Sequence, residues 1–144
     1  MTGQKLQTKV VIVPCSGIGK TYGTVSREAA YDITEDLRPE DTQLVALSKL
    51  VLGDESACSA ISGNPAITID GCRLACASKM VKESGGKVMQ EIAVLDVYRR
   101  HKDFKPHGIA ELNEGGRQLA LALAEEIAVT IDALVSEEEG GQNG

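Results

Sequence analysis

The sequence predicts an α/β fold, a three-layer Rossmann-like arrangement of about four parallel strands with helices on both faces. Three observations predict it. Strand-like and helix-like segments alternate along the chain, the order that builds a parallel sheet with crossover helices. The first strand candidate is apolar without interruption, as in a strand buried on both faces. A length of 144 residues suits one domain with one core, spanning 1–144 with its packed part at about 9–135.

In chain order, "KVVIVP" (Lys9–Pro14) is the first strand. "GTVSREAAYDITEDL" (Gly23–Leu37) has Val25, Ala29, Ile33 and Leu37 at four-residue spacing, a helical stripe, and Pro39 stops it. "TQLVALSKL" (Thr42–Leu50) is the second strand, although "ALSKLVLG" also suits a helix. "DESACSAIS" (Asp54–Ser62) is a short helix with Asp54 near its start, and "AITID" (Ala66–Asp70) is the third strand. "GCRLACASKMVKESGG" (Gly71–Gly86) is a helix with Cys72 in its first turn and glycines at its end. "KVMQEIAVLDVY" (Lys87–Tyr98) is the fourth strand, followed by a loop with His101, Pro106 and His107. A long helix from about Ile109 or Leu112 to about Val135 closes the fold, leaving 136–144 as an acidic, Gly-rich flexible tail.

The expected strand order is 2-1-3-4. Parallel strands all end at one sheet edge, where ligands bind in open α/β folds. That edge receives Cys15 from the first strand and Asp70, Gly71 and Cys72 from the third.

The formal net charge of −6 and the lack of a basic patch argue against nucleic acid and anionic membranes as partners. The densest basic stretch, "YRRHKDFK", is short and reads as a solvated loop. The polar start "MTGQKLQTK" lacks the apolar core of a signal peptide, and no apolar run has the length of a membrane span. The expected location is the cytoplasm, where four cysteines are thiols or metal ligands rather than structural disulfides.

The sulfur-bearing residues form the main constellation. Cys72 and Cys76 stand four apart, on one face of the predicted helix, so both sulfurs can point at one ion. A helix N-terminus favours thiolate, the form that binds zinc. The bland alternative is a pair of small buried cysteines at a helix–sheet contact. Cys15 shifts the balance toward a site, metal or redox, because topology delivers it to the same edge. Cys58, His101 and His107 are weaker candidates for a fourth ligand. Ser16, Gly17, Gly19 and Lys20 come directly after Cys15 and could surround a small anionic ligand with N–H donors and one positive charge.

That loop imitates a nucleotide site only in part. Gly19, Lys20 and Thr21 match the end of a phosphate-binding loop, but its first glycine falls on Pro14, which has no N–H. A Cys-x5-Arg phosphatase loop would need arginine where Thr21 stands.

Through "PCSGIGKTYGTVSREAAY" and "NPAITIDGCRLACA" together, the chain resembles the DGC domain family, named for Asp-Gly-Cys, here Asp70-Gly71-Cys72. The resemblance runs from about Val10 to Leu134. It implies a small cytoplasmic prokaryotic protein whose cysteines are proposed to chelate zinc, with no established reaction. Position by position, Cys15 matches the cysteine of Pro-Cys-Ser-Gly, Cys72 that of Asp-Gly-Cys, and Cys76 the one four residues later. The family's fourth cysteine lies in a Leu-Val-Cys-Leu context. This chain has Ala46 in that place, and Cys58 does not match. The resemblance therefore implies a metal centre of Cys15, Cys72 and Cys76, with the fourth ligand left between Cys58, a histidine, water and an outside ligand. The alternative function is a thiol enzyme, redox or phosphocysteine, using Cys15 or Cys72.

Overall fold

The computed structural model describes residues 9–15, 21–71, 76–107 and 112–143, with side chains through 136. Within them, β1 (Val10–Pro14), β2 (Thr42–Leu44), β3 (Pro65–Asp70) and β4 (Lys87–Ala93) form one parallel sheet in the order β2-β1-β3-β4. The expected class and strand order are both observed.

Alternation along β1 divides the core in two. Val10 and Ile12 face a layer made by α1 (Thr21–Tyr31), a π-helical turn (Asp32–Leu37), α5 (Val94–Arg100) and α6 (Glu114–Asn143). Val11 and Val13 face the opposite layer of α2 (Leu47–Val51), α3 (Glu55–Gly63) and α4 (Cys76–Glu83). All five residues of β1 are buried, which explains its unbroken apolar run. Each large aliphatic side chain so buried stabilises the fold by roughly 1.5–3 kcal/mol before entropy is counted.

The helices have local causes. Val25, Ala29 and Ile33 bury one stripe of α1 and its π-helical continuation, in which the Arg38 N–H reaches back to the Ile33 carbonyl at 2.8 Å. Arg38 then grips Asp132 of α6 through two bonds of 2.7 Å. Asp54 caps α3 by accepting the Ala57 N–H at 2.9 Å. Gly85, at φ +86°, ends α4 in the left-handed region.

Three sequence expectations change. The second strand ends at Leu44 instead of Leu50, because Leu47 and Leu50, three apart, bury one side of α2. The fourth strand stops at Ala93 instead of Tyr98, and Val94–Arg100 is helical. Val94, Val97 and Tyr98 pack on one side at helical spacing, which outweighs the strand preference of β-branched and aromatic residues. The "YRRHKDFK" stretch therefore begins on α5, where Arg100 reaches Glu126 at 2.6 Å. Finally, α6 begins at Glu114, capped by Asn113 through the Gly116 N–H at 2.8 Å, and continues through the acidic run to Asn143. Glutamate is a good helix former, so the acidic composition does not end the helix. Among the described residues no helix is long and apolar enough to cross a membrane.

Asp32, at the start of the π-helical turn, is partly buried and stands near Glu28, Asp36 and Glu35. Burial first, and then these three carboxylates, push it up from 3.8 to about 6. The folded state holds this proton more tightly than the unfolded chain. Its stabilising contribution is therefore complete below 3.8 and lost as pH rises through about 6. Asp32→Asn should raise stability in urea titrations at about pH 8 by about 1 kcal/mol, the shift being discounted for solvent screening. The gain should shrink toward zero at about pH 4.

Candidate functional site

The strand order changes direction between β1 and β3, and the crevice at the carboxyl ends of these strands is the expected ligand position. Pro14 pairs with Ile69, and the Cys15 N–H donates to the Ile69 carbonyl at 2.8 Å. Cys15 therefore ends β1 directly beside the last residues of β3. The Ser26 hydroxyl of α1 has the Gly23 carbonyl at 2.7 Å as its nearer acceptor and the Cys15 carbonyl at 3.2 Å as its farther one. The Cys15 residue is only 3% exposed.

Asp70 is the organising side chain of the opposite wall. It is buried, and a buried carboxylate must find donors. Its Oδ1 accepts the Ala77 N–H at 2.8 Å and its Oδ2 accepts the Ser78 hydroxyl at 3.2 Å. Thr68 completes the network, 2.6 Å from the Ser78 hydroxyl. Asp70 thus acts as a cap supplied by β3 to α4, satisfying an N-terminal donor and complementing the helix dipole. This bond ties α4, described from Cys76, to the same edge as Cys15.

Gly71 has a different task. A Cβ at Gly71 would lie 2.7 Å from the Gly23 N and from the Tyr22 carbonyl carbon. The chain leaving β3 touches the first turn of α1 backbone to backbone, and only glycine fits there. The first two residues of Asp-Gly-Cys are therefore a helix cap and a close contact.

Two cavities open at this edge. One, about 270 Å³, is lined by Cys15, Arg27, Tyr31, Ala46 and Leu47, among others. Ala46, where the resemblance puts a fourth cysteine, therefore borders the same space as Cys15. The other, about 440 Å³, lies over Asp70, Gly71 and Ala93, between Tyr22 and α5.

Cys72, Ser16, Gly17, Gly19 and Lys20 lie outside the described residues. The expectation that Cys72 and Cys76 share a helix face falls there too, since α4 is described from Cys76. Cys15 and Cys76 come to one edge, while among the described residues no three His, Cys, Asp or Glu side chains form a metal-holding group. Cys58 sits on α3 and packs, half-buried, against the same apolar cluster as Cys76. His101 is engaged elsewhere, its Nε2 3.4 Å from Glu126 and its ring stacked on Phe104 at 5.6 Å. His107 is exposed. Sequence reasoning missed Ser26, Thr68 and Ser78. The available signal was Asp70 itself, a charge ending an apolar strand, which demands polar partners nearby.

A family model described as the DGC domain matches residues 11–115. No curated protein and no solved structure matches the chain.

Asp70→Ala should cost about 1–3 kcal/mol in urea titrations, because it strands the Ala77 N–H and leaves the Ser78 hydroxyl with Thr68 alone. Asp70→Asn should cost less, since one acceptor oxygen survives. Gly71→Ala should cost about 3 kcal/mol, because the obstacle is helix backbone rather than a flexible side chain.

Proposed function

The chain belongs to the DGC domain family, and from that premise we propose that it holds a metal ion, zinc, through Cys15, Cys72 and Cys76. The observation that carries this reading is the joint anchoring of two of these cysteines to the end of β3. The Cys15 N–H is bonded to the Ile69 carbonyl, and the N–H of Ala77, next to Cys76, is bonded to Asp70. Thiolates suit zinc in preference to harder ions such as magnesium. The donor chemistry therefore fits the metal, and the location suits a ligand site in a parallel sheet.

When bound, zinc would supply Lewis acidity or act as cargo to be passed on. The protein's share is to present the thiols and to exclude water with the buried edge around Cys15. Ala46 and Cys15 border the same 270 Å³ cavity, which would leave room for water or an outside ligand to complete the set. A reducing compartment such as the cytoplasm would keep these thiols available.

A second reading is a thiol enzyme, and the cavity itself favours it. Cys15 borders a space large enough for a small substrate, with Arg27 and Tyr31 on its wall.

Metal analysis of protein purified without added zinc separates the two. About one zinc per chain is expected, lost in Cys15→Ser, Cys72→Ser and Cys76→Ser and retained in Cys58→Ala. Ala46→Cys should slow zinc loss to a chelator. Metal-free protein with one thiol alkylated much faster than the others would instead support the enzyme. Loss of zinc in Cys58→Ala would overturn the ligand set.

A further inference from the structure

The 440 Å³ cavity is separate from the wall that holds Cys15, and its lining has a definite chemical pattern. Its volume lies in the range of small-molecule sites. Tyr22, Ala93 and Leu95 supply apolar wall. Tyr22 is braced by Tyr98, with ring centroids 6.3 Å apart. Asp70 borders the space, but its carboxylate is already used by the Ala77 N–H and the Ser78 hydroxyl. Among the described lining residues, the charges available to a ligand are on α5, where Asp96 and Arg99 stand one helical turn apart.

These two side chains are 62% and 65% exposed, for Arg99 and Asp96 respectively, and meet at only 3.5 Å. An exposed pair of this geometry contributes little, so a ligand can separate it at small cost. What it offers is a guanidinium and a carboxylate side by side above an apolar wall. An α-amino acid has the complementary order: a carboxylate and an ammonium on one carbon, with the side chain projecting away from both. Arg99 suits the carboxylate through a forked pair of hydrogen bonds, and Asp96 suits the ammonium. A large apolar or aromatic side chain would then cover Tyr22, Ala93 and Leu95.

We infer that this cavity binds a free α-amino acid with a large apolar side chain, through Arg99, Asp96 and Tyr22. The site stands on described residues and does not depend on a bound metal.

Calorimetric titration of the full chain with L-phenylalanine tests it, with 2-phenylethylamine, 3-phenylpropanoate and glycine as probes lacking the carboxylate, the ammonium and the side chain. L-phenylalanine should bind saturably, and each probe about tenfold or more weakly. Arg99→Gln should weaken L-phenylalanine about tenfold and leave 2-phenylethylamine unchanged. Asp96→Asn should do the same with 3-phenylpropanoate unchanged. Both substitutions are at exposed positions, and unchanged melting temperatures would show that the fold is intact. No saturable binding of L-phenylalanine at millimolar concentration would overturn the inference. So would equal affinity for L-phenylalanine and 2-phenylethylamine, since Arg99 would then recognise nothing. Metal content, measured on the same samples, reports on the thiolate site independently.

Discussion

The buried carboxylate of Asp70 is the interaction on which the candidate site depends. A charge at the end of a strand inside the fold must be satisfied by donors, and Asp70 takes them from the first turn of α4. This bond ties α4 to the end of β3 at the residue next to Cys76. Gly71 then sets the distance between this corner and α1, because the two backbones touch. The Ser26 hydroxyl of α1 lies between the Gly23 carbonyl, at 2.7 Å, and the Cys15 carbonyl, at 3.2 Å, so the contact and the thiol-bearing strand end are neighbours.

The arrangement gives a physical meaning to a short motif. Asp-Gly-Cys is the motif for which the family is named, here Asp70-Gly71-Cys72. Here its aspartate is occupied by a helix and its glycine by a neighbouring backbone. Both serve to fix the corner between β3 and α4.

The edge also shows division of labour. On one side of the β1–β3 crevice, Cys15 faces a small cavity bordered by Ala46 and Arg27. On the other, beyond Asp70, a larger cavity lies against α5. The larger one exists because the chain turns helical at Val94. Had the fourth strand run on to Tyr98, as its β-branched residues suggest, Asp96 and Arg99 would not stand together over the end of the sheet. The choice between strand and helix there was made by one-sided burial of Val94 and Val97, which a local propensity does not contain.

Much of the architecture was legible in the residues. The apolar run ending at Pro14, the four-residue spacing of Val25, Ala29 and Ile33, and the short strand ending at Asp70 determined a parallel sheet and the arrival of Cys15 at its carboxyl edge. These features are local periodicities, and burial of a strand or a helix face leaves them in any stretch of a few residues. Tertiary structure alone decided that Asp70 caps α4, that Gly71 meets Gly23, that Ala46 borders the space beside Cys15, and that α5 replaces half of a strand. Each of these is a contact between segments far apart in the chain or a choice settled by which side is buried. Such contacts arise from how the layers pack, and no spacing within one segment encodes them.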